Sequence, residues 1–552
     1  MPTTKIYIED IYLQGITLGD FEERIPYIGA EIDDVEEDNI KIEYTPNRPD
    51  YGFPTGIFKS LKGLLDIETG LIEYTAKDTG EFKIICGDCA IEKRPIIRGV
   101  VIKNLKLNER YVEYIINFQE DIHKSLGRNR RKVSIGIHDM RRLKFPIKYI
   151  CVDEKTSFIP LGYEEEMTIS DILLKHPKGK EYGHLLGDSK TYPVLVDDNN
   201  KIISLPPIIN STITTVSEET KNIFIDVTGT DERTVEQVVD LLATSFSDIG
   251  GEIYTVHSIY KEGEYKTPSL KYGQIVVNHE YVEKILGMTL HSEEIINALR
   301  RARFNVELDK HKYNVHIPPY RFDIMHPIDI VEDIAIGYGL WKIEPDLRNM
   351  YFSMGKRDPF NEFVDKVREI TIGMGAQEVV NHILTNKDLQ EQIYFYRYNV
   401  ITLSKVKTHR NSVRRYLIPG ILETLKSNET AEHPIIVFEI GKVAFSTNGK
   451  IYEQTNLALS YSDYKATYSD IKAYFDTLIE ILGLNDYIRI AESEEPFLLN
   501  GRRGDIYADN NKLGFIGEVN PFILEFMGIQ FPICIFEINL DTLFNVYQEK
   551  TK

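Results

Sequence analysis

Tyr320-Arg321-Phe322-Asp323, followed by Asp329 and Glu332-Asp333, places four carboxylates within eleven positions. Just upstream, Tyr313, Val315 and Ile317 alternate as the apolar face of a strand, and Pro318-Pro319 end it. A helix is predicted to begin at Pro327, a residue suited to the first helical position, and to stop near Gly337 and Gly339. Asp329, Glu332 and Asp333 then stand at i, i+3 and i+4 on one helical face. Ile330, Val331 and Ile334 fall on another side, where they can pack inward. With Asp323 arriving from the preceding loop, the four suit a hard divalent cation such as Mg²⁺. The plainer reading is a solvated acidic face that favours the helix dipole.

Working outward, residues 269–342 read as a small unit of helices and paired strands that the acidic helix closes. Upstream, residues 1–85 alternate short strands with an amphipathic helix carried by Ile57, Leu61, Leu64 and Leu65. Residues 86–265 hold strand-like runs at 96–101, 133–137, 192–196 and 223–227 with two or three helices, an α+β pattern. The polar stretch 261–268 reads as a linker. Beyond 346, strands and helices mix again to the end. The chain is thus an α+β multidomain protein of 552 residues, divided at 1–85, 86–265, 266–345 and 346–552.

Composition is that of a soluble globular protein, with 42% hydrophobic and 27% charged residues. No apolar run reaches membrane-spanning length, and the first ten residues resemble neither a signal nor a transit peptide, so the expected compartment is the cytoplasm. Four cysteines argue against a disulfide framework: Cys86 and Cys89 lack the second pair a zinc site needs, Cys151 and Cys534 are isolated, and free thiols are expected. A net charge of −20 opposes general nucleic-acid coating, so no DNA partner is expected. The basic block Lys124, Arg128, Arg130, Arg131 and Lys132 either touches RNA phosphates or is a solvated loop. A Walker loop, a nucleophile elbow and a His-Glu-x-x-His pair are all absent, and no lysine cluster supports phosphoryl transfer on the acidic helix.

Several stretches, in order, carry a resemblance. They are Glu43-Tyr44-Thr45-Pro46-Asn47-Arg48-Pro49-Asp50; Leu205-Pro206-Pro207-Ile208-Ile209-Asn210-Ser211; Phe224-Ile225-Asp226-Val227-Thr228; and the Arg321-x-Asp323 stretch with its acids. Val413-Arg414-Arg415-Tyr416-Leu417-Ile418-Pro419-Gly420, Phe438-Glu439-Ile440-Gly441 and Gly514-Phe515-Ile516-Gly517-Glu518-Val519-Asn520-Pro521 follow. Together they resemble the β subunits of phenylalanine–tRNA ligases, in the shorter form of archaea and eukaryotes.

The resemblance implies an α/β N-terminal domain, an α+β editing domain, a small winged-helix-like domain and a C-terminal class II synthetase-like antiparallel-sheet domain. The last lacks catalytic motifs here: Gly373-Met374-Gly375 continues with Ala376, Gln377 and Glu378, not toward an arginine, and Arg414 and Arg415 are expected at an interface or facing RNA. It implies an α partner in an α₂β₂ assembly that binds ATP and phenylalanine and charges the tRNA for phenylalanine, with Mg²⁺ on Asp323, Asp329, Glu332 and Asp333. It also implies an editing site that hydrolyses mischarged tyrosyl-tRNA, because a pocket shaped for phenylalanine cannot strongly reject one added hydroxyl. Asn210, Ser211, Asp226 and Thr228 are its expected residues, with Ser204 and His138 as further wall candidates and Asp226 as the polar contact to the phenol. The end at Lys552 leads us to expect no C-terminal anticodon-binding domain, with anticodon reading left to the α partner. The alternatives are a free-standing editing hydrolase and a non-catalytic tRNA-binding scaffold.

Overall fold

A computed structural model describes residues 2–187, 190–344, 353–404, 406 and 408–551. The chain forms two units, 1–348 and 349–552; the boundary expected at 345 lies outside the described residues.

In the first unit, Thr3–Tyr7 and Ala30–Val35 flank Asn39–Tyr44 in a three-stranded antiparallel sheet. Helix Pro54–Leu64 buries Ile57 and Leu61 against it, as the apolar spacing predicts. The centre of the unit is an eleven-stranded sheet. Near one end of it, strand Ile223–Gly229 runs antiparallel to both Ile96–Lys103 and the edge strand Val133–Asp139. All seven of its residues are buried, which explains why its apolar residues Ile223, Phe224, Ile225 and Val227 show no strict alternation. Helices Glu109–Lys124 and Glu232–Ser247 pack Phe118, Ile122, Val238 and Leu242 onto this part of the sheet.

Three expectations need correction. The supposed linker at 261–268 contains strand Glu264–Thr267, which pairs with Glu252–Ile259; its polar residues face outward from an edge strand. The boundary at 85 falls within strand Lys83–Cys86, which joins the large sheet. Cys89 and Cys151 are not free thiols but form a disulfide with their Cα atoms 5.9 Å apart. Helix Asp88–Lys93 packs against strand Ile147–Asp153 and brings them together, a contact that a separation of 62 residues conceals.

The small unit is a sheet of Gly273–Asn278, Lys312–Ile317 and Asn305–Asp309 with helices His279–Leu286, Ser292–Arg301 and Pro327–Tyr338. Gly287 ends the first helix with φ +69°, and Pro327 opens the third.

The second unit is built on a seven-stranded sheet, antiparallel except for Gln377–Glu378 at one edge. Helices Pro359–Gly373, Tyr468–Ile481 and Leu540–Thr551 contribute to one apolar cluster, and Ile418–Ser427 and Pro521–Met527 to another. Arg414, expected at a surface, is buried and donates to Glu439 at 2.5 Å, a pairing that a sequence separation of 25 does not reveal. Among the described residues no helix is long and apolar enough to cross a membrane.

Candidate functional site

Asp226 sits at the middle of strand Ile223–Gly229, in register with Gly136 on one side and Gly99 on the other. Two residues from Gly136, His138 shares its face of strand Val133–Asp139, and its Nε2 donates to Asp226 Oδ1 at 2.8 Å. The other ring nitrogen lies 2.8 Å from Thr214 Oγ1. This hydroxyl–imidazole–carboxylate chain is solvent-shielded throughout. Gly136 makes it possible. A Cβ there would stand 2.7 Å from His138 Nε2 and 3.0 Å from Asp226 Cγ, closer than side chains allow.

Asp226 opens on a cavity that is partly open to solvent. Its walls come from helix Glu109–Lys124 through Gln119 and Glu120, from the turn at 206–209, and from Arg130 and Lys178. Arg128, Asn129 and Arg130 are three successive left-handed residues, with φ of 48°, 53° and 61°. Each such conformation costs about 1–3 kcal/mol. The bend carries Arg130 inward, where its guanidinium donates to the Pro207 and Ile208 carbonyls at 3.2 and 2.8 Å and to Glu120 at 2.6 Å. The basic block is therefore split: Arg128 and Arg131 are exposed, while Arg130 is wall.

Glu120 is a hub. Burial works to raise its carboxyl, but His123, Arg130 and Lys178 override burial and hold it well below the ordinary carboxylate range. Burial pushes His123 down to about 4. Its Nε2 accepts from the Ile135 amide at 2.9 Å, so the neutral ring donates through Nδ1 to Glu120 at 3.2 Å.

Of the expected residues, Ser204, Asn210 and Asp226 line this cavity together, and Ser204 donates to Asn210 Oδ1 at 3.0 Å. Ser211 lines an adjoining cavity and donates to the Ile159 carbonyl at 3.2 Å. His138 lies behind the wall. Thr228, one pleat along from Asp226, accepts from Arg94 Nε at 2.9 Å and does not border the cavity. Sequence reasoning missed Gln119, Glu120, Gly136, Lys178 and Thr214. The only available signal was a polar pair, Gln119-Glu120, on an amphipathic helix.

The acidic cluster is arranged differently from the sequence expectation. Arg321 Nη2 donates to Asp323 at 2.8 Å and to Asp333 at 2.7 Å. Asp329 accepts from the Met325 and His326 amides at 2.7 Å each, capping the helix. Glu332 is exposed, while Asp333, turned to Arg321, is buried. The oxygen-only donor set has the chemistry Mg²⁺ prefers. The placement does not fit a bound cation: a guanidinium holds two of the carboxylates, and among the described residues no three His, Cys, Asp or Glu converge. Beside it, Arg48 pairs with Asp50 through two bonds of 2.9 and 2.7 Å, so the Thr45–Asp50 signature and the Arg321 stretch build one ion-pair cluster.

Comparison with known proteins agrees with this layout. Residues 103–245, which hold the Asp226 cavity walls, match the B3/4 domain family. Residues 275–340 match the tRNA synthetase B5 domain, and 343–540 the phenylalanyl tRNA synthetase beta chain CLM domain. The phenylalanine–tRNA ligase beta subunit of Archaeoglobus fulgidus is 36% identical over 551 residues, 99% of each chain. That of Pyrococcus abyssi is 34% identical over 98% of this chain and 99% of its own. A solved N-terminal fragment of the phenylalanyl-tRNA synthetase beta subunit from Pyrococcus horikoshii aligns over its whole length and 61% of this chain, with 36% identity and a TM-score of 0.59. Similarity this high, sustained from end to end of both curated relatives, means that the chain belongs to the phenylalanine–tRNA ligase beta-subunit family.

Proposed function

We propose that the chain is the beta partner of an ATP-dependent phenylalanine–tRNA ligase. It supports an alpha partner that activates phenylalanine and charges its tRNA, and it hydrolyses mischarged tyrosyl-tRNA at Asp226. The observation that carries the editing half is the buried carboxylate of Asp226, fixed by His138 and opening on a cavity. One oxygen of Asp226 takes the His138 bond, and its second oxygen is available to accept from a phenol. Phenylalanine offers no such donor, so it leaves a buried carboxylate unsatisfied and is disfavoured.

Hydrolysis adds hydroxide from water to the ester carbonyl carbon, breaks the bond to the ribose oxygen and returns the proton to that oxygen. No side-chain nucleophile is required. Ser204, Asn210 and Gln119 supply polar groups where a water and the carbonyl oxygen would lie, Ser211 borders the ribose side, and Thr228 braces the strand through Arg94.

The second unit, with its antiparallel sheet, is the class II synthetase-like scaffold of this reading, in an α₂β₂ assembly. Asp323, Asp329, Glu332 and Asp333 would bind Mg²⁺ only if Arg321 released two of them, and no step is assigned to a metal. The scaffold half is tested by assaying tRNA phenylalanylation by the alpha partner with and without this chain. Dependence on the chain supports the reading; full activity of the alpha partner alone rejects it.

A further inference from the structure

The two walls of the Asp226 cavity come from opposite ends of the large sheet. Ser134, Gly136 and Asp226 stand on strands Val133–Asp139 and Ile223–Gly229 at one end, Ser204 and Asn210 on strands Ile202–Leu205 and Ile209–Asn210 at the other. Between the ends the sheet narrows to a seam. Strand Lys83–Cys86 pairs with Ile147–Asp153 only through Ile84, Ile85 and Cys86, and with Glu252–Ile259 only through Lys83, Ile84 and Ile85. Ile223–Gly229, by contrast, pairs with both neighbours along its whole length.

The Cys89–Cys151 disulfide stands at this seam. Cys89 follows the short strand by three residues, and Cys151 lies two residues beyond Tyr149, where the pairing with that strand ends. We propose that this disulfide is a redox-controlled strap of the editing site, closed by oxidation to hold the two walls in register and opened by a dithiol reductant to slow deacylation. The inference rests on the editing reading and adds its regulation.

The chain that the bond closes, from 89 to 151, contains helix Glu109–Lys124 and strand Val133–Asp139, and with them Gln119, Glu120, Gly136 and His138. Strand Ile147–Asp153 leads the other way: it pairs with Thr191–Val196, which pairs with the strand carrying Ser204. A bond between the two segments thus fixes one wall against the other. On the cavity side a second tie is not redox-active, the donation from Arg130 to the Pro207 and Ile208 carbonyls. Ile84, Ile147, Tyr149 and Leu195 also share one apolar cluster across the seam. Opening the strap therefore leaves the fold in place and relaxes the spacing of the walls, to which a positioned-water reaction is sensitive.

The bond is within reach of a reductant, since both cysteines are partly exposed. A thiolate of the dithiol attacks Cys151 Sγ and breaks the S–S bond. Cys89 leaves as a thiolate beside the Thr191 hydroxyl, whose oxygen lies 3.8 Å from its sulfur, and takes a proton from water. The second thiol of the reductant then closes its own disulfide and frees Cys151 as a thiol, so two electrons and two protons pass from the dithiol to the protein. Burial pushes the nearby Cys86 thiol up to about 12; it stays protonated and does not compete for either partner.

The test uses the complex with its alpha partner, oxidised or treated with dithiothreitol, with free thiols counted by alkylation and mass. Reduction should expose two further thiols, slow tyrosyl-tRNA deacylation about ten-fold and leave phenylalanine charging at its oxidised level, and reoxidation should restore the rate. Cys89→Ser and Cys151→Ser should each deacylate at the reduced rate and no longer respond to dithiothreitol, with phenylalanine charging verifying that both fold and assemble. A bond that dithiothreitol does not open in the native complex, or equal deacylation in the two states, overturns the strap while the editing reading stands. Loss of charging in step with deacylation also overturns it, because the bond is then a staple of the whole fold. An oxidised wild-type complex that fails to deacylate overturns the editing reading and the strap with it.

Discussion

Asp226 Oδ1 and His138 Nε2 lie 2.8 Å apart, with the Asp226 side chain 2% exposed and that of His138 fully enclosed. A buried carboxylate tolerates this only because the imidazole satisfies it. His138→Ala should therefore leave Asp226 short of a partner and cost about 1–3 kcal/mol. The check is the thermal-unfolding midpoint of the assembled complex, which should fall, together with a loss of tyrosyl-tRNA deacylation. His138→Gln, which keeps one donor, should recover part of both.

Gly136→Ala tests the same geometry from the facing strand. The added methyl meets the Asp226 carboxylate and His138 Nε2, so the pair must separate. Deacylation should fall about ten-fold or more while phenylalanine charging stays at the wild-type level. Unchanged deacylation would show that the pair has room to move.

His123 gives a pH dependence with a definite sign. Burial lowers its folded value to about 4 from 6.5, so it stays neutral in the fold. Its stabilising contribution is full above pH 6.5 and is lost as pH falls from 6.5 toward 4, where the unfolded chain binds the proton first. Protonation would also break the bond from the Ile135 amide. Unfolding midpoints measured between pH 7 and 4 should fall more steeply for the wild type than for His123→Gln.

Arg321→Ala should leave Asp323 and Asp333 as uncompensated, largely buried charges, costing about 3–5 kcal/mol. Adding Asp333→Asn should restore part of that loss, because it removes one of the stranded charges. Thermal unfolding of each single variant and of the double variant measures the coupling; a double-variant loss equal to the sum of the two single losses would mean that the side chains act independently. Mg²⁺ titration of the wild type and of Arg321→Ala provides the companion check. Stabilisation by Mg²⁺ only in the variant would mean that the guanidinium occupies the cation's place.

Much of this architecture is legible in the chain itself. The strand at 312–317, the acidic helix and its start at Pro327 follow from alternation and proline chemistry, and the structure places them there. So does the buried strand carrying Asp226. What periodicity cannot give is the direction in which a charged side chain turns once distant segments meet. Arg130 sits in a basic run yet points inward because three left-handed residues bend the chain. Asp333 shares a face with Glu332 by spacing, yet Arg321 draws it inside. The Cys89–Cys151 bond and the Thr214–His138–Asp226 chain each join residues more than sixty positions apart and leave no local trace.

The central claim is that Asp226 serves an editing hydrolysis distinct from aminoacylation. It is tested most directly by the deacylation rate of tyrosyl-tRNA of the phenylalanine type, measured with the wild-type complex and with Asp226→Ala. The account predicts a loss of roughly 10²-fold or more in the variant, with phenylalanine charging intact. Wild-type deacylation by Asp226→Ala would contradict it.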